Sequence, residues 1–146
     1  MDLLIYKIIS LVLILIFSVI LSVQDIKGMA VNVYILCLAI LCGVINQLIF
    51  ARNEIWLYIL SSIFMGAFYF VVRKITRGRF GCGDLMYGLF QGIFLKTLFL
   101  PLCMIIEVLA SLLFLNKKRE KAIPFIPFMS FGLLAAWLIQ IFISYV

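Results

Sequence analysis

The sequence contains no histidine, and its four cysteines show no CxxC spacing. The missing histidine excludes zinc sites that use imidazole and catalysis by a Ser-His or Cys-His pair. The scattered cysteines support neither a disulfide framework nor a cysteine-rich metal site. We therefore expect no metal and no cofactor. The four cysteines are Cys37, Cys42, Cys82 and Cys103.

Charged residues are also scarce. They make up 12% of the 146 positions, hydrophobic residues make up 67%, and the mean hydropathy is +1.31, far outside the range of a soluble domain. The net charge is +6, but the basic residues form short clusters between apolar runs, as in loops that face anionic lipid. This pattern favours a membrane protein in contact with the lipid bilayer and argues against nucleic-acid binding. We expect a single integral-membrane domain over 1–146.

The apolar runs are long enough to cross a membrane, which takes roughly 20 residues per helix. Clear runs occupy 3–23, 29–50, 55–72 and 125–146. The first run is followed by Asp25 and Lys27 rather than by a small-residue cleavage site, so we interpret it as a retained span. A further run, 85–115, is interrupted only by Lys96, Pro101 and Glu107. As one helix it would be about 46 Å long, too long for one crossing and short for two.

The basic residues favour two short spans in 85–115, with a turn between Lys96 and Pro101. Nine of the twelve basic residues then share one side of the membrane: Lys27, Arg73, Lys74, Arg77, Arg79, Lys117, Lys118, Arg119 and Lys121. The positive-inside rule places that side in the cytoplasm. The sequence therefore predicts an all-α, polytopic protein with six transmembrane helices and both termini outside the cytoplasm.

This topology places two carboxylates at the same membrane depth. Asp25 lies at the cytoplasmic end of the first span and Asp84 at the cytoplasmic start of the fourth. An acid at a helix N-terminus can simply interact with the helix dipole. Gly81 and Gly83, however, also indicate that backbones approach closely there. Two facing carboxylates, one protonated and one charged, can activate water for peptide hydrolysis without metal, histidine or nucleophile.

Glu107 is predicted near the middle of the fifth span, where an ionisable group is costly. One interpretation is a functional position. The other, which we favour, is a structural tie in which Glu107 is bonded to a neighbour such as Asn46 or Gln91.

Three motifs occur in order along the chain. "DIK" begins at Asp25, "GCGD" (81–84) matches the GxGD signature of membrane aspartyl proteases, and "AIPFIPFMSFG" forms the entry to the last span. Together they resemble the prepilin peptidases, also called type IV leader peptidases. The resemblance implies that Asp25 and Asp84 are catalytic, with Gly81, Gly83 and Lys27 as supporting motif residues. It also implies removal of short basic leaders from prepilin-like precursors at the bacterial cytoplasmic membrane.

The chain differs from the family pattern at two places. Met86 stands where the family commonly has lysine, and Val31, Asn32 and Val33 replace an Ile-Pro-Asn element. Larger members also carry a cytosolic loop with paired CxxC motifs and add methyl transfer to cleavage. The first connection here is only a few residues long, so we expect cleavage and leave methylation open.

Two alternatives remain open from the sequence. A small ion- or proton-coupled transporter could use Asp25, Asp84 and Glu107 along one path. A catalytically silent relative could bind prepilin-like precursors without cutting them, and Met86 is the difference that suggests it.

Overall fold

The computed structural model describes residues 2–77, 81–115 and 124–143, and within these ranges every regular element is helical. The all-α prediction is confirmed. The α-helices are α1 (Asp2–Gly28), α2 (Val33–Phe50), α3 (Ile55–Ile75), α4 (Cys82–Phe94), α5 (Leu100–Leu115) and α6 (Ile126–Ile143). Short 3₁₀ helices at Arg52–Glu54 and Thr97–Phe99 precede α3 and α5.

Among the described residues, four helical segments are long and apolar enough to cross a membrane, which supports a multi-pass membrane protein. They are Leu3–Gly28, Val33–Phe50, Arg52–Ile75 and Ile126–Ile143. The run 85–115 divides where its charges and proline predict. Helix α4 ends at Phe94 and α5 begins at Leu100. Pro101 lies in the first turn of α5, where a missing N–H costs no hydrogen bond.

Helix α4 is short and lies inside the bundle, packed against α2, α3 and α6. Its 13 residues span only about 20 Å, so its last carbonyls end among apolar side chains rather than in water. Gln47 of α2 donates to the Ile93 carbonyl at 2.7 Å, and Gln140 of α6 donates to the Phe94 carbonyl at 3.3 Å. These two amides provide the donors that a buried helix end requires.

The interface between α3 and α4 depends on small residues. A Cβ added to Gly92 would lie 2.3 Å from the Cα of Ser62, so the two backbones approach closely there. The Ser62 hydroxyl donates to the carbonyl of Leu89 at 2.7 Å. Close approach and an interhelical hydrogen bond are the usual means of joining helices in lipid, where no hydrophobic force drives them together.

Successive helices alternate in direction, which gives the bundle two distinct ends. At one end, the N-terminus of α6 meets Asp25 near the C-terminus of α1. We call it the Asp25 end. At the other, Lys96 pairs with Glu54 at 2.7 Å, and the Lys96 amide donates to Gln140 at 2.7 Å. We call it the Lys96 end.

Helix α1 extends beyond the apolar run that identified it, from a predicted limit at residue 23 to Gly28. Asp25 therefore lies within the helix, and Lys27 lies in its last turn. Cationic groups there interact favourably with the helix dipole.

Candidate active site

A cavity of about 390 Å³ opens at the Asp25 end of the bundle. Four parts of the chain line it: the end of α1, the α1–α2 connection, the start of α4, and the residues just before α6. Asp25, Gly81, Gly83 and Asp84 are all among the lining residues. The structure thus brings together the two aspartates and both glycines that the sequence singles out.

Asp25 is buried, with 7% of its surface exposed. Its Oδ2 accepts a hydrogen bond from the amide of Ile126 at 3.0 Å, and the Phe125 amide also donates to this carboxylate. Free amides at a helix start are ready partners for an anion. Asp25 therefore caps α6 from α1, across 101 positions of sequence.

Asp84 lies in the first turn of α4, and its Oδ2 accepts a hydrogen bond from the Gly81 amide at 2.9 Å. This is the acidic half of a capping box, so the helix-terminus interpretation of Asp84 is correct as far as it goes. The contact uses one oxygen. The Oδ1 of Asp84 accepts no hydrogen bond from the residues that the structure describes, and the half-buried side chain faces the cavity.

The protonation of Asp84 depends on its surroundings. Asp84 lies at the Asp25 end of the bundle, outside the four candidate membrane spans. Burial raises the pKa of Asp84 to about 6, the Gly81 amide opposes that shift, and the charge of Asp25 adds to it. Burial disfavours the charged form, and so does a nearby like charge. Asp84 therefore retains a proton at mildly acidic pH.

The two glycines of the motif leave space at different contacts. A Cβ on Gly83 would lie 3.0 Å from Val31 Cγ2, so its absence lets the start of α4 approach the α1–α2 connection. A Cβ on Gly81 would lie 3.1 Å from Asp84 Oδ2. The capping carboxylate occupies this space.

Lys27 is exposed in the last turn of α1 and is not among the residues lining the cavity. Met86 is partly buried and packs against the apolar core. Asn32 caps α2, because its side chain accepts from the Tyr34 amide at 2.9 Å. These three positions thus have structural surroundings of their own, outside the cavity lining.

Sequence reasoning missed the contribution of the segment before α6. Pro124 and Phe125 line the cavity, and the amide of Phe125 contacts Asp25. The resemblance included both residues, but neither side chain carries chemistry that would have indicated this position. A backbone donor leaves no signal in the residue type.

A second buried polar cluster surrounds Glu107 in the bundle interior, where 1% of its surface is exposed. Its Oε1 accepts from Gln91 Nε2 and from the Cys103 thiol, the latter at 3.0 Å. Its Oε2 is hydrogen bonded to the Tyr69 hydroxyl. Both carboxyl oxygens are thus occupied by side chains of α3, α4 and α5.

The predicted partners of Glu107 are half right. Gln91 is a partner, but Asn46 is not. The Asn46 amide donates instead to Ser10 Oγ at 2.8 Å, joining α2 to α1. Both Asn46 and Glu107 face the bundle interior, but they lie against different helices, which hydropathy alone does not distinguish.

Comparisons with known proteins give no match to any family model, curated protein or solved structure. Among the described residues, no group of three or more histidine, cysteine, aspartate or glutamate side chains is placed to hold a metal ion. The geometry of the cavity and the sequence motifs are therefore the basis for assigning a function.

Proposed function

We propose that this protein is a membrane aspartyl endopeptidase that removes basic leaders from prepilin-like precursors. One observation carries the proposal: Asp25 and Asp84, from distant parts of the chain, line one cavity at an end of the bundle. The GxGD motif supplies the second aspartate, and the segment before α6 contacts the first.

The mechanism requires one protonated and one charged carboxylate. Burial and the charge of Asp25 keep the proton on Asp84 up to a pH of about 6, the pKa of this group. We assign Asp84 as the acid that donates to the scissile carbonyl oxygen, because its Oδ1 faces the cavity and accepts no hydrogen bond from the described residues. Asp25 accepts hydrogen bonds from two backbone amides, which favour its charged form, so we assign it as the base that takes a proton from the attacking water.

The position of the cavity supports a bond at the membrane boundary. The cavity lies near the C-terminus of α1 and the N-termini of α4 and α6, not halfway along the bundle. A precursor with its apolar helix in the membrane would place the junction with its leader at this depth. A glycine at that junction keeps the peptide unhindered between the two carboxylates.

The proposed topology has six crossings, with α4 and α5 as two short ones and the Asp25 end in the cytoplasm of a bacterium. Four basic residues lie at the described part of that end: Lys27, Arg73, Lys74 and Arg77. The other five of the predicted cytoplasmic set lie outside the described residues. Reporter fusions after Arg77 and at the C-terminus test this topology. A cytoplasmic C-terminus would contradict it.

Cleavage is tested with the purified protein reconstituted in lipid vesicles. The probe is a synthetic precursor with a lysine-rich leader, one glycine and about 20 apolar residues. We expect mass spectrometry to show a cut directly after the glycine, and no cut when tryptophan replaces it. A further mass increase of one methyl group on the new amino terminus would add methyl transfer.

Failure of folded protein to cut the precursor, from mildly acidic to neutral pH, would contradict the peptidase. Precursor binding without cleavage would favour the silent relative. The transporter receives no support from Glu107, because both of its carboxyl oxygens are occupied inside the bundle.

A further inference from the structure

A second cavity of about 330 Å³ forms a groove between α1 and α6. We call it the α1–α6 groove. Ser18 and Ser22 of α1 and Ser130 of α6 contribute its polar groups, and the remaining lining side chains are apolar. Val19 and Phe131, both on its border, are each 60% exposed. None of the described residues that line it is charged.

We call the cavity lined by Asp25 and Asp84 the active-site cavity. The α1–α6 groove and this cavity lie end to end along the same two helices. On α1 the groove includes Ser22 and the cavity includes Asp25, which are three positions apart on the same face and about 4.5 Å apart along the helix axis. On α6 and its approach, the groove includes Ser130 and the cavity includes Phe125. A molecule lying in the groove therefore points one end at the two aspartates.

The hydroxyl groups of the groove are linked to each other and to α4. Tyr87 OH is 2.7 Å from Ser18 Oγ and 2.8 Å from Ser130 Oγ, and Ser22 Oγ is 3.1 Å from Ser130 Oγ. The serines therefore satisfy one another and leave a small, uncharged surface. Tyr87 follows Asp84 by three positions, so the chain of hydroxyls ends on the helix that carries the proposed acid.

The four-residue spacing of Ser18 and Ser22 is typical of closely packed transmembrane helices. Small residues four positions apart let a second helix approach α1 closely, so that van der Waals contacts can form. Helix α6 makes this approach through the contact between Ser22 and Ser130, and the groove remains open beside it. The exposed side chains of Val19 and Phe131 on its border can pack against a further apolar helix.

We propose that the α1–α6 groove holds the apolar helix of the precursor while its leader junction lies in the active-site cavity. This inference rests on the proposed function and names the site that positions its substrate. Charge complementarity identifies the occupant. Among the residues that the structure describes, the cavity lining carries two carboxylates and no basic side chain, and the groove lining is uncharged. A cationic segment joined directly to an apolar helix fits both.

The sharpest test fills the groove without touching the aspartates. Ser22→Leu adds bulk near the end of the groove that faces the cavity, and Ser111→Leu makes the same change on α5, outside the groove. We expect Ser22→Leu to raise KM for the full synthetic precursor roughly tenfold or more, with kcat little changed. KM for a leader peptide without the apolar helix should not move. Ser111→Leu should leave both KM values unchanged.

A binding measurement keeps the inference testable if Ser22→Leu does not fold or if no cleavage occurs. A photo-crosslinking residue is placed at Val19, 60% exposed in the groove, or at Leu109, 56% exposed on α5. We expect the precursor helix to crosslink at position 19 and not at position 109.

If Ser22→Leu is active and its KM for the full precursor is unchanged, the groove is not the binding site of the precursor helix, while the peptidase proposal stands. Crosslinks from position 19 to lipid alone would also overturn it. Conversely, a precursor that crosslinks at position 19 but is never cut would support the groove as its binding site and contradict the peptidase proposal.

Discussion

The cavity at the Asp25 end and the cluster around Glu107 are both built around carboxyl groups, yet the accessibility of those groups differs. Asp84 faces a cavity of about 390 Å³, and its Oδ1 accepts no hydrogen bond from the described residues. Glu107 is 1% exposed, and both of its oxygens are occupied. An acid in an apolar chain therefore does not by itself mark a reactive site. An available oxygen beside open space is the better indicator.

Glycines contribute differently in the two regions. In the interior, a Cβ on Gly132 would lie 2.4 Å from Glu107 Cγ, and one on Gly88 would lie 2.3 Å from Tyr69 Cδ2. At the cavity, the corresponding distances for Gly81 and Gly83 are 3.1 and 3.0 Å. A neighbouring side chain fills the space beside each interior glycine, which closes the cluster. At the cavity, Asp84 Oδ2 lies beside Gly81 and Val31 lies beside Gly83, and the cavity itself stays open.

The largest effect is expected at the cavity. Asp25→Asn and Asp84→Asn should each lower kcat of precursor cleavage by about 10³-fold, because an amide cannot serve as the base or the acid. The double variant should lose little more, as expected for groups that act as a unit. Glu54→Gln, at the Lys96 end, is the matched control and should retain activity. Substantial turnover by either single variant would exclude the aspartyl mechanism.

In the interior we expect a loss of stability and not of turnover. Glu107→Gln removes a carboxylate that accepts from Tyr69 and Cys103. It should lower the free energy of unfolding by about 1–3 kcal/mol, measured by denaturant titration in detergent, and kcat per folded molecule should be retained. Glu54→Gln removes an ion pair whose carboxylate is 48% exposed, so it should cost less than about 1 kcal/mol. A kcat loss matching that of Asp84→Asn would instead make Glu107 part of the active site.

The closed packing around Glu107 predicts a loss of stability of similar size. Gly132→Ala should lower the free energy of unfolding by about 1–3 kcal/mol, because the added methyl group meets Glu107 Cγ. Gly28→Ala is the control, since no atom lies within 4 Å of the Cβ it would add. Glu107→Ala removes the clashing atom, so the combined variant should lose less than the sum of the two single variants. Full additivity would show that the glycine is not needed for this contact.

The smallest effect is the dependence of cleavage on pH. Since burial and then the charge of Asp25 raise the pKa of Asp84 to about 6, Asp84 loses its proton as the pH rises past that value. We expect kcat/KM to fall about tenfold per pH unit above it. Glu107→Gln should leave the midpoint unchanged, because Glu107 lies outside the cavity lining. A shift of the pH midpoint in that variant would show that the two regions are electrostatically coupled.

The sequence predicts the helical fold well because apolar runs are local features. The break in 85–115 was predictable from Lys96 and Pro101, and α4 and α5 are separated there. Helix ends were less accurate: α1 continues to Gly28 through polar residues that hydropathy does not count. The positive-inside pattern also placed Asp25 and Asp84 at the same end before any contact was known.

Side-chain partners inside the bundle could not be predicted in this way. Gln47 and Gln140 bond to the last carbonyls of α4 only because that helix ends within the protein. Nor does any pattern show that Tyr69 reaches Glu107, since the two are 38 positions apart and both simply face inward. Hydropathy shows that a side chain is buried, but not which helix it meets.

The hydrogen bond between Asp25 and the Ile126 amide has a consequence for biosynthesis. The ribosome adds Ile126 101 residues after Asp25, which takes roughly 5 to 20 s at bacterial and eukaryotic rates of about 5–20 residues per second. Throughout that interval the Asp25 carboxylate cannot accept a hydrogen bond from the Ile126 amide, and the cavity lacks the wall formed by Pro124 and Phe125. A nascent chain that contains only α1 to α5 therefore lacks part of the cavity, and translation of α6 and the residues before it completes the cavity.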